Sequence, residues 1–373
     1  MNALQRDINL GEFPQEMQKR HQTLEMLLES MLKPYVKQID ESAFYHREFL
    51  SMLGKQGFFN SEGMELSEVL MREVKVVEET AKHCMTTAFN MWCHLASLTY
   101  IRLTENTYLR EKFLPRLESG ELLGATGLGN PMKYYAGLEK LHLRAEAVEG
   151  GFLVTGTLPA VSNMAKENWF GIIAEVNENQ RIMAYVPGNA MNLTLKEKVE
   201  YLGLNGSATY SCQFDGIFIP NEHLISHSAD EFVAKIRPYF VIYQIPLALG
   251  VTEAAIQSIE RNRDKQGGSN QYLPVQGETL SMELQKMKAD FAFYLNQQDM
   301  AGNWKEFLKL RLQGVQMTAS AVHANMLHQG GSAYMKMSDP SRRLREFYFF
   351  ANLTPTVRHL GKMLNAQPMG MKR

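Results

Sequence analysis

The sequence predicts an α+β protein built from an N-terminal helical domain (1–118), a middle β-domain (119–226) and a C-terminal helical bundle domain (227–373). Three observations carry this. Apolar residues recur at three-to-four spacing from about residue 14 to 117, the period becomes two around Gly150-Gly151, and long apolar-striped segments return after Pro220. A chain of 373 residues also exceeds what one compact core usually holds, so two or three packed subdomains are expected.

In the first third, "QTLEMLLESMLKPYVKQI" is helical and Pro34 ends or kinks it. "GKQGFFNSEG" is a loop by its glycines, and "VLMREVKVVEETAKHCMTTAFNMWCHLASLTYIRL" keeps the helical period over many turns. From Gly120, "LHLRAEAVEGGFLVTGTL" reads as a β-hairpin, and "FGIIAEV", "RIMAYVPG" and "ATYSCQFDGIFIP" continue the strands. No helices alternate with them, which excludes a doubly wound sheet, and the segment is too short for a β/α barrel. "YQIPLALGVTEAAIQSIERNR", "LSMELQKMKADFAFYLNQQ" and "EFLKLRLQGVQMTASAVHANMLHQ" are each long enough to build a bundle.

Lys plus Arg number 39 and Asp plus Glu 40, so 39 − 40 gives a formal charge of −1. That balance offers no general attraction for nucleic acid or an anionic membrane, and points to a small molecule or another subunit as partner. No run of about 18 apolar residues and no basic-then-apolar leader stands out, so a cytoplasmic protein without membrane insertion is expected. Cys84, Cys93 and Cys212 cannot make a disulfide framework, in keeping with a reducing compartment. The 23 methionines read as core filling.

"HCMTTAFNMWCH" has the residue types of a metal site. On one continuous helix, however, Cys84 and Cys93 stand about 180° apart, so no metal site is expected there. "GLGNP" ends the first strand, where Gly129 allows close approach to the backbone. Ser162 and Asn163 in "GTLPAVSN" are small hydrogen-bonding residues suited to a planar polar ring, although taken alone the segment is better read as a strand end with a turn. Arg261 or Arg263, with Gly330 and Gly331, offers the guanidinium and bare N–H groups that a pyrophosphate requires.

Taken in order, these segments resemble the acyl-CoA dehydrogenase family over nearly the whole chain. "GATGLGNP" is similar to the family's Gly-x-x-x-x-Thr-Glu-Pro, with Gly129 and Asn130 in place of Thr and Glu. "GTLPAVSN" is similar to Gly-x-Lys-x-Trp-Ile-Thr-Asn, with Ala160 in place of Trp. "LGLNGSATYSCQFDGIFIP" is close to the family pattern at the end of the β-domain. "RDKQGG" resembles Arg-x-x-Phe-Gly, and "QGGSAYMKMSDPSRRLREFYFFANLTPT" resembles the stretch from a Gly-Gly turn through an Arg-Asp to Glu-Gly-Thr.

The resemblance implies FAD, with FMN as the alternative, bound between domains and subunits of a homo-oligomer, a dimer or tetramer. Gly129, Ser162, Asn163, Arg263, Gly330, Gly331 and Thr356 inherit cofactor-contacting positions, and Arg263 that of the pyrophosphate ligand of a neighbouring subunit. Thr354 stands where the family's catalytic glutamate is expected. The alternative glutamate position falls near Ile236 and Arg237, so neither position holds an acid. A threonine hydroxyl cannot act as a base near neutral pH, and ordinary acyl-CoA oxidation is therefore expected to be very slow. The implied activity is a flavin-dependent oxidoreductase acting on an acyl thioester or related small molecule. A flavin monooxygenase on the same fold and a non-catalytic binding or assembly subunit are the alternatives.

Overall fold

The computed structural model describes residues 15–198 and 200–365. The helical first third comprises α1 (Gln15–Leu27), α2 (Val36–Glu41), α3 (Arg47–Lys55), α4 (Leu66–His83), α5 (Met85–Leu103) and α6 (Thr107–Glu118). Between α1 and α2 the chain passes through a π-turn at Leu28–Leu32 and a 3-10 turn at Lys33–Tyr35, with Pro34 in the first turn of the latter. The proline has no N–H to give, so the straight helix stops there.

The long helical run expected across residues 69–103 is two helices. Cys84 is extended (φ −154°, ψ 109°) and separates α4 from α5. No glycine or proline marks the break; it turns α5 into the axis of the molecule, where every residue from Met85 to Ile101 is buried. A helix apolar or tightly packed all round is a core helix, and α5 is one. His94 is part of that core: its Nδ1 accepts from Gly124 N at 3.0 Å and its Nε2 lies 3.2 Å from Leu117 O. Burial pulls its pKa down to about 3.

The middle segment holds β1 (Gly124–Thr126), a short helix α7 (Gly129–Tyr135) that the sequence reading did not anticipate, then β2 (Leu143–Val148), β3 (Gly151–Val161), β4 (Trp169–Asn177), β5 (Gln180–Pro187), β6 (Leu193–Lys198), β7 (Thr209–Pro220) and β8 (Leu224–Ser226). The sheet order is β6-β7-β3-β2-β4-β5-β8, with β1 parallel to β4. The β2–β3 hairpin turns where expected: Gly150 has φ +80°, and a Cβ on Gly151 would meet Ile219 O at 2.1 Å. Val154, Leu158, Phe170, Ile172, Phe214 and Ile217 form a core of their own on one face of this sheet.

The last third holds α8 (Ala229–Ile242), α9 (Ile245–Asn262), a four-residue turn α10 (Lys265–Gly268), α11 (Gly277–Asn296), α12 (Trp304–Gln329), α13 (Asp339–Asn352) and α14 (Val357–Asn365). Residues 229–262 are long and apolar enough by composition to cross a bilayer, but 94% of their most apolar window is buried inside the protein. They serve as core, packed on α4 so closely that a Cβ on Gly250 would meet Glu78 O at 2.3 Å.

Helices α4, α9 and α11 are also joined by charge. Lys82 reaches Glu253 at 2.6 Å and Glu79 at 2.9 Å, Lys75 reaches Glu79 at 2.6 Å, and Lys288 reaches Glu253 at 2.5 Å and Glu78 at 2.7 Å. Burial alone would raise the Glu79 pKa, but Lys82 and Lys75 outweigh it and hold it at about 2. A carboxyl whose folded pKa lies below its unfolded value adds stability above the unfolded pKa, and that stability is lost as pH falls toward the folded one. The expected result is a loss of on the order of 2–3 kcal/mol between about pH 4.5 and pH 2 from this group. Denaturant titrations at several pH values should show a shallower acid slope for Glu79→Gln than for the unaltered protein; equal slopes would contradict the assignment.

Candidate functional site

A pocket of about 210 Å³ opens where the ends of β1 and β3 meet α5, α8 and the end of α13. Its sheet side is made of small or hydroxyl-bearing residues, Thr126, Gly127, Gly129, Ala160 and Ser162. A Cβ on Gly129 would meet nothing within 4 Å, so the backbone there is open to a ligand. The Thr126 hydroxyl is 2.7 Å from Tyr100 Oη, and that of Ser162 is 2.8 Å from Thr209 Oγ1.

The opposite side is aromatic. Phe89 stacks on Trp92 at 5.3 Å, Trp92 meets Phe240 edge-on at 4.7 Å, and Phe349 meets Phe89 edge-on at 4.7 Å. The Trp92 indole N–H donates to Phe240 O at 3.0 Å, which fixes the ring. The four aromatics at 347–350 divide between duties: Phe349 lines the pocket, Phe347 and Phe350 are buried in the core, and Tyr348 is exposed.

Thr354 borders the same pocket, and its backbone is hung from the bundle core. Gln244 Nε2 donates to Thr354 O at 2.8 Å, and Gln244 Oε1 accepts from Arg311 Nε at 2.8 Å. Arg311 also donates to Phe350 O at 2.7 Å, with its guanidinium 3.6 Å from the centre of the Phe350 ring. It is wholly buried, and burial lowers its pKa to about 9. Gln244 and Arg311 were not picked out from the sequence; a glutamine and an arginine 67 residues apart carry no local signal of meeting.

A second chamber, of about 900 Å³, shares Phe240 with this pocket and has Pro355, the neighbour of Thr354, in its wall. Tyr134, Tyr135, Trp304, Arg237, His359 and Lys362 line it. Arg237 lies over the Trp304 ring at 5.2 Å, and Lys362 Nζ donates to Ala136 O and Gly137 O at 3.2 and 3.0 Å. A narrow aromatic slot thus lies beside a wide, cation-bearing vestibule, with Phe240 in the wall of both.

Of the sequence-derived residues, Gly129, Ser162 and Thr354 come together in the slot. Asn163 sits directly behind it, wholly buried, accepting from Tyr45 Oη and donating to Gly124 O, both at 2.8 Å; its side chain holds the strand ends together. Thr356 immediately precedes α14 and exchanges bonds with His359: Thr356 N donates to His359 Nδ1 at 3.2 Å, and His359 N to Thr356 Oγ1 at 3.4 Å. Arg263, Gly330 and Gly331 lie elsewhere. Gln244, bonded to Thr354, precedes α9 and Arg263 follows it, so the 18 residues between put them about 27 Å apart. There Asn262 ties α9 to α12 through Gln329 at 2.8 Å, and Arg263 is exposed and paired with Glu278 at 3.0 Å. Ile236 is buried in the helical core and Arg237 faces the vestibule, so the second expected position for a base holds none.

A sheet clamped between two helical layers, with its pocket at the seam of all three, is the architecture of acyl-CoA dehydrogenases. The chain superimposes on a glutaryl-coenzyme A dehydrogenase in complex with glutaryl-CoA with a TM-score of 0.85, at 17% identity and covering 94% of each chain. For an acyl-CoA dehydrogenase from Geobacillus kaustophilus the TM-score is 0.84, at 16% identity over 95% of this chain and 98% of that one. Residues 14–121 match the family model for the acyl-CoA dehydrogenase N-terminal domain. Benzylmalonyl-CoA dehydrogenase of Aromatoleum aromaticum is 21% identical over 238 residues, 60% of this chain and 62% of that protein. Other curated relatives are matched over 50% and 55% of their length. Residues 14–121 thus match the acyl-CoA dehydrogenase N-terminal domain, and the described chain shares the fold of these dehydrogenases.

Proposed function

We propose that the protein is a flavin-dependent oxidoreductase acting on an acyl thioester, with the acyl group in the slot and its carrier in the vestibule. The observation that carries this reading is the adjacency of two cavities at Phe240 and Thr354-Pro355: a slot with one small-residue wall and one aromatic wall lies beside a wide chamber bearing Arg237 and Lys362. Relatives whose names specify acyl-CoA substrates, glutaryl-CoA and benzylmalonyl-CoA among them, support it.

The slot suits a planar ring. Gly127, Gly129, Ala160 and Ser162 leave the strand ends bare, and related structures include complexes with FAD and FADH2. About 210 Å³ is small beside the 300–1,000 Å³ of typical ligand sites, so the slot takes the ring and not the whole dinucleotide. Flavin, when bound, supplies the hydride acceptor. The chain's own residues orient and exclude water: Phe89, Trp92, Phe240 and Phe349 close the slot against solvent, and Gln244 with Arg311 fixes the backbone at Thr354.

Arg263, Gly330 and Gly331 are assigned to flavin phosphates of a second copy in a homo-oligomer. Exposed apolar residues support such an assembly: Met282 and Phe293, 59% or more exposed, share one face of α11, and Tyr334 is 89% exposed. Arg263→Ala should then weaken flavin retention and lower the melting temperature by linkage, while sedimentation shows the oligomer intact. Unchanged retention would remove Arg263 from the site. The direct test of the proposed function is the visible spectrum of the purified protein, with extraction of its chromophore. FAD or FMN is expected; a colourless protein that takes up neither would overturn the reading.

A further inference from the structure

We propose that Glu139 is the proton-accepting carboxylate of the slot, standing in for the acid absent at position 354. The inference rests on the proposed acyl thioester chemistry. Among the described residues that line the slot, Glu139 is the sole carboxylate, and Thr354 borders the same space.

The carboxylate is held in place. Asn130, itself 6% exposed, donates from Nδ2 to Glu139 Oε2 at 3.2 Å and to Lys140 O at 2.9 Å, while its Oδ1 accepts from His142 N at 3.0 Å. One buried amide therefore pins both the loop 139–142 and the acid it carries. Lys133 Nζ donates to Glu139 Oε1 at 2.7 Å, and His142 Nε2 lies 3.9 Å from Oε2. The side chain remains one-third exposed, with a free lone pair on each oxygen. Asn130 stands where the resemblance expects an acid, and in this chain it holds a carboxylate supplied nine residues further on.

The step balances without an oxidant. The α-C–H bond of the bound thioester breaks, its proton passes to a Glu139 oxygen, and its electron pair moves onto the thioester carbonyl as an enolate; reprotonation from solvent-exchanged Glu139 reverses it. A carboxylate serves here as a threonine hydroxyl cannot, because it is already ionised near neutral pH. Lys133 stays paired with the carboxylate in the resting protein and takes up none of the substrate's protons.

Exchange of the α-protons for deuterium separates this step from electron transfer. The protein as purified is incubated in deuterium oxide with butyryl-CoA and with glutaryl-CoA, and deuterium incorporation is read by mass spectrometry. The unaltered protein should exchange at least one of them. Glu139→Gln should exchange about 10² to 10⁴ times more slowly, with flavin absorbance, thioester-induced spectral changes and melting temperature retained. Glu139→Asp should recover part of the rate, which a purely structural ion pair with Lys133 would not explain. Exchange by Glu139→Gln at the unaltered rate would overturn the proposal, as would no exchange by a protein that binds both flavin and thioester. Failure to bind either flavin or thioester would instead overturn the functional reading, and this proposal with it.

Discussion

Glu346→Ala is expected to cost about 3–5 kcal/mol of stability, the magnitude of removing one partner of a buried ion pair. Glu346 is 1% exposed and accepts from Arg342 Nη1 at 3.1 and 3.2 Å. Thr86 Oγ1 donates to it at 3.4 Å from α5. Arg342 and Arg343 are each 5% exposed, and the other carboxylate paired with them, Asp339, is on the surface with 63% of its side chain exposed. Without Glu346, two guanidinium groups under α5 would share one solvated partner. The Glu346 pKa is raised because desolvation outweighs the pull of Arg342, which means that the pair is expensive to bury. Arg342→Met combined with Glu346→Leu should therefore be less damaging than Glu346→Ala alone. Denaturant unfolding of the three proteins checks this, and a double variant at least as destabilised as Glu346→Ala would contradict it.

Trp92→Ala should remove about 3–5 kcal/mol as well, the usual range for truncating a large buried aromatic. The indole is 3% exposed, stacks on Phe89, meets Phe240 edge-on and donates to Phe240 O. Its loss leaves a cavity between α5 and α8 and an unpaired carbonyl in the slot wall. Trp92→Phe keeps most of the ring contact but not the donor, and should cost about 1–3 kcal/mol for the unsatisfied acceptor. Thermal or denaturant unfolding separates the two variants. Equal, small losses in both would show that the slot collapses around the missing ring.

Much of this organisation was legible in the sequence because it rests on local rules. The helix-strand-helix order follows from hydrophobic period, the β2–β3 turn from Gly150 and Gly151, and the interruption near Pro34 from its missing N–H. The break at Cys84 was not legible, since an extended cysteine inside a helical pattern is dictated by what α5 packs against. The short helix α7 was hidden by the same glycines that made its start look like a loop. In the site, Gly129 and Ser162 stood out as strand-end residues, and Thr354 only through the family resemblance, nine residues after Arg345. Gln244 and Arg311 could not: each gains its meaning from a partner that only the fold brings near, across 110 residues for Gln244 and Thr354. Asn163 shows the converse, a residue of suggestive chemistry whose side chain is wholly used in holding β1 and Tyr45.

Flavin-dependent oxidation of an acyl thioester in the slot at Thr354, the proposed function, has a direct spectral readout. Anaerobic mixing of the flavin-loaded protein with a panel of acyl-CoAs, dicarboxylic and branched chains included, tests it most directly through bleaching of the oxidised flavin bands. Bleaching by at least one thioester, slowed by Glu139→Gln, is the predicted result. A flavin that stays oxidised with every thioester, in a protein shown to bind them, would contradict it.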